Sequence, residues 1–152
     1  ATEPARPAPK LVFYDINDKP RTLSEFKGRG VVLNFWATWC APCVKEMADL
    51  DKLNARFKGE GIDVLALSVD RDPLRLAKKF YKKMALKNLP ILADKKRKIL
   101  RRLSIQRLPT TVLFDTNGRE VGRITGVIEW NEPENVAFLR HLLVPVIKKP
   151  KE

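Results

Sequence analysis

The 152-residue sequence predicts an α/β domain with a mixed central sheet flanked by helices, and three observations carry that reading. Short apolar, β-branched runs alternate with segments of helical periodicity, the order expected of strand–helix–strand units. Asn117-Gly118 follows the last long apolar run and is a two-residue hairpin signal, so part of the sheet is antiparallel. One run, residues 31–36, feeds directly into a helical pattern, and both cysteines of the chain, Cys40 and Cys43, stand at that junction.

Residues 1–10 are rich in proline and alanine and read as an extended, flexible tether. Residues 11–149 read as a single domain, which suits a chain of this length. Residues 11–14 and 21–23 are apolar segments around a turn-forming stretch and predict an N-terminal hairpin. Residues 24–28 predict one helical turn, capped by Ser24 and ended by Gly28. Residues 31–36 are a buried strand by length and β-branching. The helix that follows places Val44, Met47, Leu50, Leu53 and Phe57 on one face and stops near Lys58-Gly59.

Residues 62–69 form a second core strand. Residues 70–86 predict a helix with Leu74, Ala77, Phe80, Tyr81 and Met84 inward. A brief strand at 89–92 precedes a helix at 95–103 with Ile99, Leu100 and Leu103 inward. Residues 108–115 open on a proline and become a strand, and the Asn117-Gly118 turn leads to its partner at 120–127. Residues 132–149 close the domain as a helix, broken or kinked at Pro145. The chain has no internal repeat and no apolar run of membrane-spanning length.

The chemistry is in Trp39-Cys40-Ala41-Pro42-Cys43. Residues three apart on a helix share a face, with Cβ atoms about 5–6 Å apart. A disulfide needs roughly 3.5–4.5 Å, which a small adjustment of the first turn provides. The helix N-terminus carries about half a positive charge, and that charge favours the thiolate, the reactive form of cysteine. Pro42 fits the first turn, where an N–H has no intrahelical partner. Cys40, at the helix entrance, is expected to attack; Cys43, one turn in, is expected to resolve the mixed disulfide. A purely structural bridge would close too short a loop to remove much unfolded-chain entropy. Zinc needs about four N or S donors, and the remaining candidate, His141, is far away in sequence. Copper(I) on the two thiolates stays open.

The charge is unevenly spread. The formal net charge is +12, and residues 71–107 carry fourteen Lys and Arg against Asp72 and Asp94, so this stretch accounts for the whole excess. It reads either as a solubilising face or as a surface for an acidic partner or an anionic membrane. No nucleic-acid motif or aromatic stacking platform accompanies it, which argues against nucleic acid as a partner.

With Trp-Cys-x-Pro-Cys at a strand-to-helix junction and Leu108-Pro109-Thr110 opening a later strand, the chain resembles the thioredoxin superfamily. More narrowly, it resembles the TlpA/ResA/CcmG-like periplasmic thiol–disulfide oxidoreductases. The narrower match rests on the N-terminal hairpin with Ser-Glu-Phe-Lys-Gly, the central insertion before Pro109, Asn34 in the core strand, and Glu46 three residues after Cys43. The resemblance spans about residues 11–148. It implies a thioredoxin-like fold, a cis Pro109 that positions substrate, and Leu108 offering backbone groups to an extended substrate segment. Trp39, Ala41 and Pro42 would complete the substrate surface. Glu46 could accept the proton of Cys43, whose burial raises its pKa. Where the family often has a helix-kinking proline, this chain has Ala48, so the kink is not expected to carry over. Trp130 lies far along the chain and is assigned no chemistry.

Ala41-Pro42 adds neither charge nor side-chain hydrogen bond, so the Cys40 thiolate leans mainly on the helix terminus and backbone N–H groups. That predicts a reductant with a potential near thioredoxin's, about −270 mV, rather than DsbA's, about −120 mV. No cofactor is expected beyond the Cys40–Cys43 redox couple. The resemblance implies a membrane thiol donor of the DsbD/CcdA type and substrates among apocytochrome c or copper-assembly factors. It also implies a periplasmic protein; the Pro/Ala-rich start without methionine predicts tethering through a removed leader or anchor. The alternative is a non-catalytic thiol module that binds copper(I) or a partner protein.

Overall fold

The computed structural model describes residues 6–7 and 10–144. Eight strands form one sheet in the order β1-β8-β7-β4-β5-β6-β2-β3. The strands are β1 (Arg6–Pro7), β2 (Val12–Tyr14), β3 (Pro20–Thr22), β4 (Gly30–Trp36), β5 (Ile62–Ser68), β6 (Ile91–Ala93), β7 (Thr110–Phe114) and β8 (Arg119–Thr125). The helices are α1 (Ala41–Phe57), α2 (Pro73–Met84), α3 (Lys98–Arg102) and α4 (Pro133–Leu143). The β4–β5 and β5–β6 pairs are parallel. The other pairs are antiparallel, which makes the sheet mixed.

All seven residues of β4 are buried. Its position between β5 and β7 explains why its sequence is a continuous apolar run rather than an alternating one. The register sets Trp36 opposite Ser68 on β5 and Phe35 opposite Thr110 on β7. The chain therefore leaves the middle of the sheet where β5 also ends and β7 begins. At the opposite end of β4, a β-carbon on Gly30 would stand 2.6 Å from that of Leu143. The last turn of α4 can approach the strand only because no side chain is there.

The hairpin of β2 and β3 forms as read, and so does the Asn117-Gly118 turn, whose glycine has φ +74°. Several expectations are corrected. Within the expected tether, Arg6 and Pro7 pair with Glu120 and Arg119 on β8. An extended proline-containing segment suits an edge strand, where a missing N–H can face solvent. The turn after β3 is a 3-10 helix at Leu23–Phe26, and its cap is Thr22 rather than Ser24. The Glu25 carboxylate reaches back 2.7 Å to accept the Thr22 N–H, the reciprocal half of a capping box.

Helix α2 starts at Pro73 and not at residue 70, because Asp70 is held in the preceding loop. Met84 on its last turn is exposed rather than inward. The helix expected at 95–103 is broken. Lys96 and Arg97 have φ of +56° and +55°, so a 3-10 turn at Lys95–Arg97 precedes α3. Buried Asp94 causes the restart by accepting the N–H groups of Ile99 and Leu100 at 2.8 and 2.9 Å. The closing helix ends at Leu143; Pro145 and the rest of the expected helix lie outside the described residues.

Candidate functional site

The site begins where β4 stops. After Trp36 a tight turn brings the Cys40 N–H to the Ala37 carbonyl at 3.1 Å. Cys40 is the N-cap of α1, in extended conformation, and its Sγ accepts the Cys43 N–H at 3.4 Å. Sulfur thus occupies the place a capping hydroxyl usually takes. Cys40 and Cys43 are joined as a disulfide with their α-carbons 5.3 Å apart. Both are buried, Cys40 at 6% exposure and Cys43 at 1%. The first turn contains Pro42 and no acid, so no carboxylate of that turn opposes the helix terminus.

Trp39 next to the pair is 63% exposed. Ala41 and Pro42 are exposed too. On the neighbouring strand, the Leu108–Pro109 peptide is cis. Phe35 pairs with Thr110, so Pro109 lies at the level of Trp36, one tight turn from Cys40. Leu108 is half-buried beside it. The residues that the sequence nominated from two segments, 39–46 and 108–109, therefore meet at one end of the sheet.

Two buried carboxylates flank this end. Glu46 lies one turn inside Cys43 along α1, at 1% exposure. Its Oε2 accepts the indole N–H of Trp130 at 2.8 Å and the Ile128 N–H at 3.3 Å; its Oε1 accepts the Asn34 side-chain N–H at 3.3 Å. Burial pushes the Glu46 carboxyl above the usual carboxylate range, and these donors oppose the rise only in part. The Asn34 amide also donates to Thr111 Oγ1 at 3.1 Å, while its Oδ1 is buried without a hydrogen-bond partner. Asp70, at 3% exposure, is different. It accepts Thr38 N–H at 3.1 Å, Thr38 Oγ1 at 2.9 Å and Ser68 Oγ at 2.8 Å, pinning the loop that carries Trp39 to the end of β5.

Sequence reasoning missed three members of this arrangement. Trp130 was given no role, yet it is fully buried and supplies the shortest hydrogen bond to Glu46. A contact spanning 84 residues leaves no local pattern to read. Asp70 was read as part of a helix. Arg97 was counted only as one charge among many, yet its guanidinium lies 5.9 Å from the Trp39 ring centroid. Trp36 packs in the core against Phe80 and Tyr81, as its strand position implied. His141 sits exposed on α4, and among the described residues no group of three or more His, Cys, Asp or Glu is placed to hold a metal ion.

A dithiol at a helix start, a buried acid behind it and an exposed aromatic beside it can together carry out thiol–disulfide exchange. Comparisons with known proteins agree. The family model described as Redoxin matches residues 3–139. Thiol-disulfide oxidoreductase ResA of Bacillus cereus (strain ZK / E33L) is 40% identical over 119 residues, covering 78% of this chain and 68% of that protein. ResA of Bacillus subtilis (strain 168) is 36% identical over 121 residues, covering 80% and 66%. A crystal structure described as a thiol:disulfide interchange protein DsbE from Chlorobium tepidum superposes with a TM-score of 0.75 at 25% identity, covering 91% of this chain and 93% of that one. The chain belongs to the redoxin family, in the TlpA/ResA/CcmG-like branch of the thioredoxin superfamily, and is a thiol–disulfide oxidoreductase whose substrates are protein disulfides.

Proposed function

We propose that the protein is a reductant of protein disulfides in the periplasm, tethered to the membrane, with substrates in cytochrome c maturation or copper-centre assembly. Electrons would come from a membrane thiol donor of the DsbD/CcdA type. The only redox group would be the Cys40–Cys43 couple itself.

The steps follow from the site. Cys40, as thiolate, attacks one sulfur of the substrate disulfide; that S–S bond breaks, a mixed disulfide forms, and the released substrate thiolate takes a proton from solvent. Cys43 then gives its proton to Glu46 and attacks Cys40 Sγ. The mixed disulfide breaks, the second substrate thiolate leaves and is protonated, and the Cys40–Cys43 bond forms. Two electrons have passed to the substrate, and the donor returns them. Trp39, Ala41 and Pro42 form the contact surface. Leu108, held before cis Pro109, offers its backbone N–H and C=O to an extended substrate strand.

The observation that carries this reading is the burial of Glu46 one turn behind Cys43, with its carboxyl held above the usual range. Such a carboxylate can accept a proton from a shielded thiol near neutral pH. A reductant also fits the neutral Ala41-Pro42 pair, which leaves the thiolate to the helix terminus. The test is trapping and potential together. Cys43→Ser is expected to hold substrates as mixed disulfides on Cys40, and Cys40→Ser to abolish turnover. A redox potential above about −160 mV would overturn the reductant assignment.

A further inference from the structure

The fourteen basic residues between 71 and 107 are contiguous in sequence but separate in space. Helix α2 starts at Pro73, just past Asp70, and its twelve residues extend about 18 Å. Lys82, Lys83 and Lys87 therefore recede to the far end of that helix. Arg97 stays at the catalytic end. Its Nε donates to the carbonyl of Val69 at 3.2 Å, and Val69 N–H in turn donates to the Trp36 carbonyl at 2.9 Å, just before the active-site turn. Its backbone is in the left-handed region, φ +55°, with Arg97 N–H bonded to Asp94 O at 3.1 Å. The guanidinium is thereby carried to the exposed ring of Trp39, the residue before Cys40.

Among the described residues Arg97 makes no ion pair. Asp70 is buried and bonded to Thr38 and Ser68; Asp72 pairs with Arg75 at 2.6 Å; Glu46 is buried with Trp130. Arg71 and Arg107, which follow Asp70 and precede Leu108, are exposed, and among the described residues neither forms an ion pair. The cation placed over Trp39, next to the disulfide, is thus that of Arg97.

We propose that Arg97 is a specificity-determining residue, which with Trp39 forms a ledge that selects protein disulfides flanked by acidic side chains. The ledge adjoins the reacting sulfur, which favours a protein partner over a membrane, since a bilayer seated here would cover the site. The inference rests on the reductant reading given above. Charge complementarity at such a rim acts mainly on association and is screened by salt.

The test uses reduced protein and two otherwise identical disulfide peptides, one with Glu and one with Gln beside the reactive cysteine. At low ionic strength the Glu peptide is expected to react about two- to fivefold faster, the range of an exposed charge pair. Arg97→Gln should bring the ratio close to one, and Lys83→Gln, remote on α2, should leave both the ratio and the Gln-peptide rate intact. Equal rates for the two peptides in the parent, or a ratio that survives Arg97→Gln, would overturn the proposal and leave the reductant reading standing. Failure to reduce either peptide would overturn both. Loss of binding to phosphatidylglycerol vesicles on Arg97→Gln, with the peptide ratio unmoved, would assign the charge to a membrane instead.

Discussion

Glu46 and Asp70 are both buried acids beside the same disulfide, and they are held in different ways. Asp70 accepts hydrogen bonds of 2.8–3.1 Å from two hydroxyls and a backbone N–H, all contributed by residues within the turn and the strand end it joins. Glu46 has one bond of 2.8 Å, from an indole across the fold, and two of 3.3 Å. A carboxylate ringed by short local donors is a staple. One with long, distant donors keeps a stake in both protonation states, because burial still favours the neutral form. The difference separates what holds the active-site turn from the residue proposed to move a proton beneath it.

The comparison breaks most visibly if Asp70 is removed. Asp70→Ala leaves the Thr38 N–H and two hydroxyls without their acceptor, and the oxidised protein should lose about 2–4 kcal/mol, read from the urea midpoint. An unchanged midpoint would deny Asp70 its stapling role. Glu46→Gln should instead act on rate, slowing resolution of the mixed disulfide about 100-fold in a stopped-flow experiment. The parent's resolution rate should fall as acid protonates Glu46, and the variant should lack that limb.

Stability gives the same residue a second signature. The folded pKa of Glu46 is raised, so on raising pH the unfolded chain loses this proton first. Oxidised parent protein should lose stability from about pH 4.3 up through the raised folded value, then level off. Glu46→Gln should flatten that slope; an identical slope in both proteins would remove burial of Glu46 as its cause. Trp130→Phe sharpens the contrast at smaller scale. It removes the donor that lowers the Glu46 pKa, so the acid limb should move to higher pH, with a stability loss of about 1 kcal/mol. The smallest effect is expected for Thr38→Val, which keeps the backbone bond to Asp70 but deletes the hydroxyl, at about 0.5 kcal/mol.

What was legible in the sequence was local. The strand running into Cys40, the i,i+3 cysteines, the helix face from Met47 to Phe57 and the Asn117-Gly118 turn are patterns within a few residues. The Trp130–Glu46 bond is not, because nothing near Trp130 distinguishes a core tryptophan from one that donates to a particular acid. The broken helix at 95–103 misled for a related reason. Its apolar spacing is helical, but the side chain of Asp94 satisfies the Ile99 and Leu100 amides and starts a fresh turn, which leaves Lys96 and Arg97 outside it. Periodicity reports which face is buried; it does not report a cap that overrides the turn before it. Met84 failed in the opposite sense, since a residue on the final turn of α2 can overrun the surface it was expected to cover.

The meeting of Gly30 with Leu143 has a practical consequence. β4 is seven residues long, about 23 Å of extended chain, with Gly30 at one pole and the redox turn past the other. The last turn of α4 therefore sits at the pole remote from sulfur. A resin or sensor chip coupled there would present the reactive turn outward to whatever flows over it.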